Sequence, residues 1–244
     1  MVAEQELTGE VLAAAKKAWD EGMEASLLLA IRLEELGLHK QIANRVLEPW
    51  MDVEQLTTGT DFTNFFALRR HKDAQPEIQR IANDAFQAIG ASSPLVLPAG
   101  EWHLPFITVP DHTYAIQEAA RLMQGREWSD QWLVKISAAR VARTSYLNHE
   151  GRLDYDKDLE LFARLVEQDP GHWSPLEHVC AAMPPLRWRD RAAVRIAALL
   201  MGGERGRRML QHGERFLLGS GNLEGWKQLR KFYEAREHIG GPRP

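Results

Sequence analysis

The spacing of apolar residues predicts a long first helix. Leu12, Ala15, Trp19, Met23, Leu27, Ala30 and Leu33 recur at three- and four-residue steps, the period of one helical face. Thr8 offers a cap before the run and Gly37 a stop after it. The next stretch, LHKQIANRVL, reads as a short helix ending before Glu48-Pro49, because the residue ahead of a proline is pushed out of the helical region. WMDVEQLTTGT reads as a strand with a threonine-rich end. Asp61 then caps a helix through FTNFFALRRH. Asp73 caps another through AQPEIQRIANDAFQAIG, with Pro76 in the first turn, where its missing N–H costs little.

From Ala91 to Asp111 the chain is rich in Pro, Gly and Ser, with EWHLPFITV as a strand inside it. Ser129 or Asp130 starts a helix through QWLVKISAARVARTSY, and Asp156 starts KDLELFARLVEQ. Beyond Asp190 the pattern is helical in three pieces, broken at Gly202-Gly203 and at GSGN. The fold class expected is α+β, mostly helical with a small mixed or antiparallel sheet. Four parts follow: a helical part over residues 1–90, a Pro/Gly-rich connection over 91–128, an α/β part over 129–186 that holds HWSPLEH, and a basic helical tail over 187–244.

Composition excludes several classes. A hydrophobic content of 44% can fill a sizeable core, so the chain is globular rather than disordered. The net charge of −4 hides an asymmetry: Arg187 to Arg236 carries twelve Lys or Arg against five Asp or Glu, so the rest of the chain is strongly acidic. The lone cysteine, Cys180, cannot form an intramolecular disulfide, which fits a reducing compartment. The acidic N-terminus lacks the basic start and apolar run of a secretory signal, and LLLAI and IAALLM are far shorter than the ~20 residues of a membrane helix. A soluble, cytoplasmic protein with no membrane partner is expected.

The densest chemistry lies in DPGHWSPLEHVC, residues 169–180. Two His, a Glu and a Cys suggest a metal, but four residues separate His172 from Glu177 and Pro175 interrupts them, so no metal site is expected. The alternative is a helix entrance: Ser174 as cap, Pro175 at the first position and Glu177 at the third, a capping box whose free N–H groups also suit an anion or an electron-rich ring edge. Asn64 and Arg69, five residues apart, fall within about 140° on a helix and can frame one site.

Taken together, several segments resemble the flavin-dependent thymidylate synthases. GHWSPLEH looks like that family's H-x-S-P-x-E-H segment, and ARVARTSY resembles what precedes it. RVLEP resembles R-x-x-L-P, with the Leu one position early. NFFALR followed by AQPEI resembles N-x-x-x-x-R and A-Q-x-E-I. The order is that of a circularly permuted, bacteriophage-type branch, in which EWHLP and a terminal G-N-x-x-G-W-x-Q-x-R-K also occur. Gly221, Asn222, Gly225, Trp226, Gln228, Arg230 and Lys231 fit that ending. The resemblance covers about residues 8–178 and resumes near Gly221; the arginine-rich 187–218 stretch lies outside it. The family's Arg-His-Arg signature, which holds flavin and nucleotide, does not occur in the chain.

The resemblance implies a thymidylate synthase-like fold and reductive methylation of dUMP to dTMP, with methylene-tetrahydrofolate as carbon donor, FAD as hydride carrier and NADPH as reductant. Arg69 matches the family arginine at the pyrimidine and so takes the catalytic role, stabilising negative charge on the uracil. Arg45 matches a second nucleotide-binding arginine. Asn64 matches a flavin contact, His172 and Ser174 match positions beside the flavin, and Thr58 sits where the family often has a flavin-binding asparagine. A homotetramer is also implied, and in the permuted relatives the signature precedes the long first helix, so another segment or chain is expected to supply it. Two other readings stay open: a catalytically incomplete remnant or subunit of such an enzyme, and a nucleic-acid-binding module working through the basic tail.

Overall fold

The structure, a computed structural model, describes residues 6–144, 154–168, 170–185, 187–207 and 223–235. It is α+β: mostly helical, with a small antiparallel sheet of three strands. Two compact units are present, one made of Met1–Glu54 and Thr63–Ser92, the other of Gln55–Phe62 and Ser93–Pro244.

The first unit opens with α1, Gly9–Glu35. Thr8 takes the extended N-cap conformation without a side-chain bond. At the other end Gly37, at φ +89°, donates to the Glu34 carbonyl and Leu38 to that of Leu33, the paired bonds of a Schellman stop. Of the predicted apolar face only Ala30 is buried, while Leu12, Trp19, Met23 and Leu27 stay exposed. After α2, Lys40–Ala43, the chain does not stop before Glu48-Pro49. It continues as a 3-10 helix, Asn44–Trp50, in which Pro49 removes only one bond. The Trp50 ring packs 5.4 Å from Trp19, and a Cβ on Gly22 would lie 3.3 Å from that ring. Helices α3, Thr63–Arg69, and α4, Pro76–Ala91, meet through Phe66 and Phe86, edge to face at 5.2 Å, with Arg70 lying over Phe86. Helix α4 is preceded by an extended Gln75 rather than capped by Asp73, as Pro76 at its first position requires.

The second unit holds the sheet. Strand β1, Trp102–His103, pairs with β2, Cys180–Ala182, which pairs with β3, Trp226–Gln228, all antiparallel in the order β1-β2-β3. The predicted strand over 50–60 does not form: the threonine-rich segment has no strand beside it among the described residues, and threonine side chains make bonds instead. Thr60 Oγ1 accepts from the Glu224 N–H at 3.0 Å. In the tail, Trp226–Gln228 is a strand rather than a helix, GSGN lies outside the described residues, and the chain's α8, Trp188–Met201, ends at Gly202 with φ +58°.

Helices α5, Val109–Arg121, α6, Arg126–Ala142, and α7, Tyr155–Glu167, pack together. Helix α6 starts at Arg126, ahead of Ser129 and Asp130, and α7 is capped by Asp154, not Asp156, through the Lys157 N–H at 3.1 Å. Val134, Ala138 and Ala139 of α6 join Phe162 of α7, Ala181 of β2, and Leu229 and Phe232 of the C-terminal α9, Leu229–Ala235, in one buried cluster.

A charged cluster also crosses these helices. Arg140 donates to both Asp111 oxygens at 2.9 Å and to Asp158 at 3.1 Å, while Arg143 reaches the other Asp158 oxygen at 2.5 Å. Asp111 is fully buried and also receives the Thr108 N–H and hydroxyl and the Tyr155 hydroxyl. Burial alone would raise the Asp111 carboxyl, but Arg140 and Thr108 outweigh it and hold it well below the usual carboxylate range. Removing one member strands a buried charge, so Asp111→Asn is expected to cost about 3–5 kcal/mol of unfolding free energy in urea titration. Glu118→Gln, which breaks the exposed pair with Arg121, should cost at most about 1 kcal/mol. Equal losses would remove the cluster from its structural role.

Candidate functional site

After α7 the chain turns back on itself as the His172 N–H donates to the Leu165 carbonyl at 2.8 Å. A Cβ on Gly171 would lie 2.4 Å from Trp173 Nε1, so a glycine is needed for the indole to fold against this turn. The predicted capping box is not formed. Ser174–Glu177 is a single 3-10 turn entered from Trp173, without a side-chain cap, and it leads into β2 rather than into a helix. Ser174 Oγ lies 3.3 Å from His172 Nε2, and the Glu177 carboxylate pairs with Arg230. A guanidinium outbids a neutral backbone N–H for a carboxylate. Gln228 Nε2 also donates to the Glu177 carbonyl at 3.0 Å. Two stretches far apart in sequence, GHWSPLEH and WKQLRK, thus meet at Glu177.

Ser174 and His172 open onto a cavity of about 600 Å³. Arg143, just past the end of α6, and Arg164, on α7, line it with His178 and with apolar side chains that include Leu161 and Leu165. No described lining residue is a carboxylate. His178 Nδ1 is 3.0 Å from Thr58 Oγ1, so the segment 55–62 is fastened to the turn that forms the cavity wall. Thr58 belongs to a second cavity of about 460 Å³, with Thr60, His103, Glu224 and Trp226 around it. Cys180 is buried at its edge, its thiol pushed up to about 12 by burial, which keeps it protonated and unreactive. Among the described residues no cluster of His, Cys, Asp and Glu could hold a metal ion.

The residues singled out from the sequence fall into two groups. Thr58, His172 and Ser174 lie in the second unit, and His172 and Ser174 share one cavity. Arg45, Asn64 and Arg69 lie in the first unit, exposed, Arg45 on the 3-10 helix and the other two on α3. Sequence reading missed Arg143, Arg164 and His103. For Arg164 a signal existed: Leu161, Arg164 and Leu165 stand at i, i+3 and i+4, which sets a cation at the border of the apolar face of an amphipathic helix. Comparison with protein-family models, curated proteins and solved structures finds no match to this chain. No described helix is long and apolar enough to cross a membrane.

Burial lowers the His178 imidazole from its ordinary 6.5 despite the neighbouring Glu177, and His103 is lowered by burial and by His178. A histidine held neutral in the fold takes up its proton more readily when unfolded, so its contribution to stability is fully present above 6.5 and is lost as pH falls below that value. The urea midpoint is therefore expected to fall between about pH 7.5 and about pH 5.5, and to fall less in His178→Gln. An identical fall in the two proteins would show that His178 is not the responsible group.

Proposed function

We propose that the chain is a flavin-dependent thymidylate synthase-like protein that takes part in the reductive methylation of dUMP to dTMP. The observation that carries this reading is the cavity at His172 and Ser174, the two residues that the family resemblance sets beside the flavin. Its chemistry fits FAD: guanidinium, imidazole and hydroxyl groups suit phosphates, apolar side chains suit a flat ring, and about 600 Å³ lies within the ordinary range of cofactor sites. Bound FAD would supply hydride for the carbon delivered by methylene-tetrahydrofolate, with NADPH restoring it.

In this reading His172 and Ser174 hold the flavin, with Thr58 and Asn64 as further contacts. Arg45 and Arg69 bind dUMP, and the permanent charge of Arg69 stabilises the negative charge that develops on the uracil. The exposed apolar stripe of α1 supports a homo-oligomer such as a homotetramer, because large exposed apolar patches mark contact surfaces.

Titrating the protein with FAD while following flavin fluorescence tests the reading directly. Saturable quenching is expected, weakened about tenfold or more in the His172→Ala/Ser174→Ala double variant. In any form that makes dTMP, Arg69→Ala should abolish most turnover. A flavin that stays unquenched overturns the proposal and leaves the catalytically incomplete remnant, which the missing signature favours.

A further inference from the structure

We propose that Arg143 and Arg164 form a phosphoryl-binding pair on the 600 Å³ cavity, for the diphosphate or terminal phosphate of a ligand whose apolar part Leu161 and Leu165 would accommodate. The choice of ligand rests on the flavin reading above; the anion site itself stands on the geometry.

The two guanidiniums reach the cavity from different helices. Arg143 stands one residue beyond α6 and Arg164 on α7, and both line the cavity. Their circumstances are complementary. Arg143 is partly buried and anchored by the Asp158 carboxylate, whose second oxygen is taken by Arg140. Asp158 is therefore shared between two cations, and Asp111 adds a second carboxylate to the same cluster. Asp158 takes one of the five N–H donors of the Arg143 guanidinium, and the other four have no partner among the described residues and stay available for a ligand.

Arg164 is exposed and forms no ion pair or hydrogen bond through its side chain among the described residues. A cation so placed gains most from an incoming anion, because no existing pair has to be broken. His172 and Ser174 add polar groups on the same wall, and no described carboxylate competes there. Two planar forks lining one cavity suit the oxygens of a phosphate or diphosphate, where bidentate charge-assisted bonds are the strong ones. Isolated surface arginines have neither the apolar lining nor the anchoring carboxylate.

Isothermal titration of the full chain with inorganic pyrophosphate, in parallel with FAD, tests the pair. Wild-type protein should bind pyrophosphate with an affinity that falls as salt rises. Arg164→Gln, at an exposed position, should weaken binding about tenfold or more, and Arg143→Gln similarly, while Arg143→Lys should retain part of it. Circular dichroism checks that each variant is folded. Absence of pyrophosphate binding by the wild type, or affinities unchanged in both Gln variants, overturns the proposal. If FAD binds but pyrophosphate does not, the arginine pair falls and the flavin reading survives. If pyrophosphate binding depends on the arginines and FAD does not bind, the pair stands and the flavin reading falls.

Discussion

The arrangement of α5, α6 and α7 is organised around the Arg140 guanidinium. Three consecutive helices each bring a charge to it: Asp111 from α5, Arg140 itself from α6 and Asp158 from α7. Arg140 also donates to the Phe106 carbonyl and, one turn earlier, Ser137 to that of Pro105, so the segment leaving β1 is tied to the same helix. Burying such charges is expensive, and a well-packed apolar replacement could be as stable. The cluster's effect is to make the cost of error high: a slip of one turn in any helix would leave a carboxylate or a guanidinium dry and alone. The registry of α5, α6 and α7, and with it the position of Arg143, follows from that penalty.

Much of the helical part could be read from sequence because its signals are local. Apolar spacing and Gly37 define α1 and its stop, and Pro76 opens α4. The strands were harder, because a strand exists only where a neighbour supplies its hydrogen bonds. Residues 50–60 have the right composition and no neighbouring strand among the described residues; Cys180–Ala182 has two neighbours and an unremarkable composition. Buried on both faces, Cys-Ala-Ala shows no alternation to detect.

The site was legible in part for the same reason. His172 and Ser174 stood out because they crowd a short segment, and they do share a cavity. The sequence places Glu177 in a capping box, whereas in the fold its carboxylate pairs with Arg230 and its carbonyl accepts from Gln228. That pairing spans about fifty residues and leaves no local trace. Spacing marks Arg164 beside apolar residues, but only the tertiary fold shows that Arg143 is anchored by Asp158 and that both arginines line one cavity. Where a side chain's partner lies across the chain, residue type alone does not predict its role.

The segment 55–62 gives this architecture an unusual kind of indivisibility. It belongs to the second unit, yet it is threaded through the sequence of the first, so the chain passes between the units three times. Neither unit is a continuous stretch of the gene, and an exchange of coding sequence at the 92/93 boundary would not exchange whole units. The residues from 93 onward would arrive without Thr58 for His178 and without Thr60 for the Glu224 N–H. The two units are therefore bound to be inherited together, whatever each of them contributes.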